Sequence, residues 1–176
     1  MVLVRLVLVA GKARSGKSEA AKFLKAYLTE KGKKVVITEY SKYIKLFAKE
    51  MIEWDGISEP KPRKFLQDFG FYVRHESHDP DYFIRRMKED LAIYEHLVDV
   101  VIISDVRLPR EITEVSSFQP LKIKVESHLN VYDLNEEEAS HETEVALDKY
   151  TDFDLIIKDK SVLEMQELLR QVVKDW

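Results

Sequence analysis

The chain contains no cysteine among its 176 residues. Disulfides and thiolate chemistry are therefore excluded, and a bound metal must rely on oxygen or histidine ligands. The same absence fits a reducing compartment, so a cytoplasmic location is expected. No apolar run reaches the length of a membrane span. The apolar start at 2–10 is short and runs directly into a glycine-lysine turn, which marks a buried strand rather than a signal-peptide core. A soluble chain without membrane association is expected. Neither charge sign dominates, because charged residues make up 34% of the chain but the formal net charge is only -4. That balance creates no general field for nucleic acid or anionic lipid. Repeats, low-complexity tracts and linkers rich in Gly, Ser or Pro are also missing, so residues 1–176 should form one domain.

What the chain does have is 45% hydrophobic residues, ample for one core, arranged in two alternating patterns. Continuous apolar runs at 3–9, 35–38, 98–104, 121–125 and 155–157 read as five buried parallel strands. Between them, Ala20, Leu24 and Leu28 recur at helical spacing, as do Ile44, Phe47 and Met51, then Phe65, Phe69 and Tyr72, then Phe83, Met87 and Leu91. Ser161 followed by Glu164 has capping-box spacing and announces a last helix. This alternation predicts a three-layer α/β/α sandwich around a five-stranded parallel sheet, and the glycine-lysine turn GKARSGKS at 11–18 makes the expected fold that of a P-loop NTPase. Two stretches break the alternation: extra helices at about 40–97, expected to bind an acceptor, and a polar stretch at about 127–148, expected to form a lid.

The segment GKARSGKS at 11–18 satisfies G-x-x-x-x-G-K-[ST] between a strand and a helix, the context the motif requires. Glycines let the loop wrap phosphates while backbone N–H groups and a helix N-terminus supply partial positive charge. The nucleotide-contacting residues are therefore Gly11, Lys12, Ala13, Arg14, Ser15, Gly16, Lys17, Ser18 and Glu19. Lys17 should neutralise β- and γ-phosphate oxygens, and Ser18 should place its hydroxyl on Mg²⁺. Arg14 reads equally as a catalytic arginine or as a solvated loop charge. Asp105, at the end of a strand, reads either as a cap for the next helix or as an acid holding Mg²⁺ through water, with Arg107 just beyond it. Arg63, Gln67 and Arg74 fall on one predicted helix, where they either grip an acceptor phosphate or coat the surface.

Four stretches together, GKARSGKS from 11, PRKFLQDFG from 62 with Arg74 following, SDVRLPRE from 104, and SHETEVAL from 140 leading to FDLIIKD from 153, carry a resemblance. The chain resembles the nucleoside monophosphate kinase superfamily, and within it the phage-type deoxynucleoside monophosphate kinases and the animal-type phosphomevalonate kinases. The resemblance implies transfer of the ATP γ-phosphoryl to a monophosphate. Lys17, Ser18 and Asp105 would lie around Mg-ATP, with Arg63, Gln67, Arg74 and Arg107 around the acceptor. It also places Lys158 and Asp159 where related enzymes, often with an asparagine, contact adenine. His141 is the histidine that matches the family segment. A homodimer is left open.

Nucleotide kinases commonly supply lid arginines, but residues 126–148 here hold eight acidic residues, two histidines and no Lys or Arg. Such a stretch should repel phosphates, leaving charge stabilisation to Lys12, Arg14 or Arg107. His128 and His141 read more naturally as locally hydrogen-bonded groups than as catalysts, and Glu142 and Glu144 equally as solvated helix charges. Two alternatives remain at this level. One is a phosphomevalonate or other phospho-metabolite kinase, and the other is an ATP-binding regulatory module with no acceptor, which the arginine-free lid motivates.

Overall fold

A computed structural model of the chain describes residues 4–58, 60–77, 79–127 and 140–176. The first part of the expected lid, including His128, and the first residue of the expected opening strand lie outside the described residues.

Five parallel strands, β1 (Arg5–Ala10), β2 (Val35–Thr38), β3 (Val100–Val106), β4 (Leu121–Glu126) and β5 (Leu155–Lys158), form one sheet in the order β2-β3-β1-β4-β5. The inner runs became strands because both of their faces are covered, whereas at the β5 edge Ile156 stays 49% exposed. In β1 the side chains of Leu6, Leu8 and Ala10 enter one core with Ile84, Met87, Val101 and Ile103, while Val7 and Val9 enter the other with Leu24, Ile102, Ile123 and Leu169. That two-sided burial removes the polar alternation expected of a half-exposed strand.

The second core is closed by α1 (Lys17–Glu30) and the last helix, and the first by the α4 helix (Tyr82–Tyr94). Ala20 and Ala21 of α1 are fully buried, so this helix lies close against the sheet. It ends at Lys31, where Gly32 N–H donates to Thr29 and Lys33 N–H to Leu28, a close match to a glycine-terminated helix stop. The extra helices are α2 (Lys42–Ile52), α3 (Arg63–His75) and α4, followed after β3 by a short α5 (Pro109–Thr113) and, after β4, by α6 (Glu142–Val145). The last helix, α7 (Val162–Val172), starts with the expected reciprocal cap: Ser161 Oγ accepts from Glu164 N–H, and a Glu164 carboxylate oxygen accepts from Ser161 N–H.

The strand order puts β1 between β3 and β4, so the carboxyl ends of three strands open on the same edge. Ligands of open parallel sheets collect at such an edge. No helix among the described residues is long and apolar enough to cross a membrane.

Candidate active site

The loop after β1 is shaped by its neighbours. Gly11 has φ 144, and a Cβ there would lie 2.2 Å from the Val125 carbonyl oxygen of β4, so no larger residue fits. Val125 also touches the other motif glycine, its Cγ1 lying 3.6 Å from where a Cβ on Gly16 would stand. Arg14 holds a left-handed φ of 59, a conformation that costs a non-glycine residue of order 1 kcal/mol. Such strain clusters where a backbone must present itself to a ligand. Ser15 Oγ is buried and without a hydrogen-bond partner, and no side chain caps the start of α1. The first amides of a 14-residue helix are thus left for an anion.

Lys17 is 92% buried, and its ammonium donates to the Lys12 carbonyl. Burial, and after it the nearby Arg107 guanidinium, pulls its pKa down to about 7 against the opposing pull of Glu144 and Asp105. A buried lysine surrounded this way regains its full charge when an anion arrives. Ser18, one residue on, lines the same cavity.

Asp105 is engaged by backbone. Its two carboxylate oxygens accept from Tyr40 N–H at 2.7 Å and Ser41 N–H at 2.9 Å, fixing the turn from β2 into α2. A carboxylate has about four lone-pair sites, so room remains for a water on a cation. Glu111 does similar work for Arg107: one of its oxygens accepts from Arg107 N–H at 2.7 Å and Leu108 N–H at 3.0 Å. Burial, and then repulsion from Asp105, raises the Glu111 pKa to about 7. The D-V-R-x-x-x-E segment is therefore a self-anchored turn that fixes the root of Arg107.

One cavity of about 260 Å³ runs from this loop to α3. Ala13, Arg14, Lys17, Ser18, Asp105 and Arg107 line it on the loop side, and Arg63, Leu66, Gln67 and Arg74 on the helix side. Gly70 lets Arg74 lie back along α3, since a Cβ there would meet Arg74 Nη1 at 3.1 Å and Ile44 Cδ1 at 3.2 Å. His141 also lines the cavity; its Nδ1 accepts from Thr143 N–H as the cap of α6, and burial lowers its pKa. The remaining sequence candidates lie elsewhere. Lys12 bonds Asp148 at 3.0 Å on the surface, Glu19 pairs with Lys22 at 3.2 Å, and Lys158 and Asp159 sit at the end of β5 outside the cavity.

The structure adds residues that sequence reading passed over. Lys45 and Lys61 line the cavity beside the arginines, with Glu39 between β2 and α2 paired to Lys45. Burial lowers the pKa of Lys61, and the charges of Lys45, Arg63 and Arg107 lower it further. Cations crowded together at the expense of their own charged forms make a site suited to an anion. The only sequence signal for Lys61 was its place in the SEPKP loop just before Arg63. Glu144, read as equally a surface charge, is 94% buried against Arg107 and the loop.

The magnesium proposed from the motif can be tested against these donors. Among the described residues no group of three or more metal-ligating side chains comes together. A hydroxyl at Ser18 and a partly free Asp105 match an ion that takes its remaining ligands from nucleotide phosphates and water, as Mg²⁺ commonly does. The donor set fits that ion and not a cage formed by protein alone.

No family model and no curated protein matches the sequence. Solved structures do match it in fold. A shikimate kinase from Bacteroides thetaiotaomicron has a TM-score of 0.56 at 16% identity, covering 98% of this chain and 99% of that one. The APS kinase CysC of Mycobacterium tuberculosis, solved in complex with AMPPNP and APS, has a TM-score of 0.51 at 13% identity, covering 99% of this chain and 100% of that one. The chain shares the fold of these P-loop kinases. Its all-parallel five-stranded sheet, with helices on both faces, is the α/β architecture expected from the sequence.

Proposed function

We propose that this protein is an ATP-dependent kinase that transfers the γ-phosphoryl group to a small acceptor already bearing a phosphate, foremost a nucleoside or deoxynucleoside monophosphate. The observation that carries the reading is the continuity of one cavity from the phosphate loop at Lys17 and Ser18 to the cationic face of α3 at Arg63 and Arg74. One phosphate chain and a second phosphate can meet there, each on its own cations.

The acids of the cavity support a phosphate acceptor over a hydroxyl. Attack by a hydroxyl needs a base, whereas an ionised phosphate oxygen is already a nucleophile. Asp105, Glu111 and Glu144 all hold backbone amides, and Glu39 is paired to Lys45. In the transfer, an acceptor phosphate oxygen bonds to the γ-phosphorus as the bond from that phosphorus to the β–γ bridging oxygen breaks, and ADP leaves with the electron pair. Lys17, Arg14 and the loop amides hold the nucleotide phosphates, and Arg63, Arg74, Arg107 and Lys61 orient the acceptor. Ser18, and Asp105 through water, would hold Mg²⁺, which would supply neutralising charge to the nucleotide phosphates.

The test is ADP release from Mg-ATP with a panel of nucleoside and deoxynucleoside monophosphates, mevalonate phosphate, and no acceptor. Turnover is expected with a monophosphate alone, and to vanish in Lys17→Ala. Acceptor-independent hydrolysis at the same rate, or tight ATP binding without turnover on any acceptor, would favour a regulatory ATP-binding module instead.

A further inference from the structure

The two glutamates of the H-E-T-E segment lie two residues apart in α6, and both are aimed at the cationic groups of the cavity. One Glu144 oxygen accepts from the Ala13 N–H of the phosphate loop at 2.8 Å, and the other pairs with Arg107. Glu142 takes Arg74 through both Nε at 2.9 Å and Nη2 at 2.8 Å, and pairs with His75 at 3.1 Å. One four-residue helix therefore engages a loop amide together with two arginines assigned to the acceptor. Carboxylate and phosphate oxygens seek the same donors. An amide hydrogen and a guanidinium edge cannot serve both at one position, and the two anions repel.

We propose that Glu144 and Glu142 are internal phosphate mimics that set the enzyme's specificity against water. This rests on the kinase reading above. While the acceptor site is empty, α6 keeps the Glu144 carboxylate on the loop. An acceptor phosphate that takes Arg74 and Arg107 removes the partners of both glutamates, so α6 lets go and the loop opens to nucleotide. Acceptor and nucleotide thus favour each other's binding, by the same factor in each direction. The reaction held in check is hydrolysis, in which a water oxygen bonds to the γ-phosphorus, the β–γ bridge breaks, ADP leaves and a proton is released to solvent.

A strut that merely supports the loop makes the opposite prediction, since its removal weakens nucleotide binding. The full chain is titrated calorimetrically with Mg-AMPPNP in the absence of acceptor, comparing wild type with Glu144→Gln. The variant is expected to bind about 10-fold more tightly, the reciprocal of an open fraction of about one tenth, and to release ADP from ATP without acceptor faster by a similar factor. Unchanged or weaker binding overturns the proposal. Inorganic tripolyphosphate, titrated in parallel, separates the two readings. Tighter tripolyphosphate binding with no AMPPNP binding supports the mimic and sinks the kinase reading, while wild-type affinity for both ligands overturns the mimic and leaves the kinase reading standing. Should Glu144→Gln fail to fold, Glu142→Gln, whose carboxylate is already one third exposed, is expected to shift affinity in the same direction by about 2- to 5-fold. No shift there overturns the proposal too.

Discussion

The loop wall of the cavity presents charge through backbone amides and one buried lysine, whereas the α3 wall presents it through long side chains. The loop keeps its shape with no ligand because β4 stands behind Gly11 and the sheet fixes β4. The arginines of α3 have no such backing. Glu142 pairs with Arg74, and on the β3 side Glu144 pairs with Arg107. Fixed backbone donors keep their place whether or not a carboxylate such as Glu144 occupies the Ala13 amide, while clustered cations repel one another and draw in counter-charge. The two walls should therefore fail differently when altered.

The largest difference is expected from Gly11→Ala. Its Cβ meets a backbone oxygen at 2.2 Å and the strand cannot retreat, so nucleotide binding should be lost altogether, measured by calorimetry with AMPPNP alongside a thermal melt. Retained affinity would show that the loop wall is as pliable as the helix wall. On the other side, Arg63→Ala should raise the acceptor KM by about 10- to 100-fold, as for loss of one charged hydrogen-bonding partner of about 1.5–3 kcal/mol, and leave the KM for ATP within about 2-fold. Equal changes in both constants would erase the distinction between the walls.

A smaller effect is expected from Glu111→Gln, which keeps an oxygen for the Arg107 and Leu108 amides. The folded pKa of about 7 lies above the ordinary 4.5, so the protonated acid contributes stability that is full below pH 4.5 and lost as pH rises through 7. The variant should therefore gain on wild type between pH 5 and pH 8 by of order 1–2 kcal/mol, read from urea melts at each pH. A constant difference across that window would refute it. Smallest is a proton count. Lys17 is partly neutral near pH 7 when free, and a phosphate beside it favours the charged form. ATP binding at pH 8 should take up a fraction of a proton, approaching about one, seen as a dependence of binding heat on buffer ionisation enthalpy. No uptake would place Lys17 away from the phosphates.

The fold was legible because it is written in short-range patterns. Two-sided burial gives uninterrupted runs such as Val100 to Ile103, and helical spacing gives Leu24 and Leu28, so strands and helices can be read without knowing their partners. The loop was legible for the same reason, with its eight residues contiguous. The α3 wall was legible only in part. Arg63 and Gln67 share a helical face by spacing, but Lys45, Lys61 and Glu144 reach the cavity from α2, the loop before α3, and α6, brought together by the fold. A glutamate destined for burial against an arginine 37 residues away has the local signature of a solvated one. Adjacent Glu142, Glu144 and Asp148 thus read as repulsive to phosphate, whereas each is neutralised by a cation of the cavity or its rim.

Val125 gives the loop a history as well as a shape. It lies in β4, more than a hundred residues after Gly11, and pairing of β1 with β4 brings the two together. During synthesis the GKARSGKS segment is made before β4, and its backing surface arrives only after α2, α3, α4 and β3. A nascent chain that stops before β4 carries the whole motif without the wall that shapes it. The loop should thus take its binding shape late, in a chain whose α2, α3 and α4 are already present.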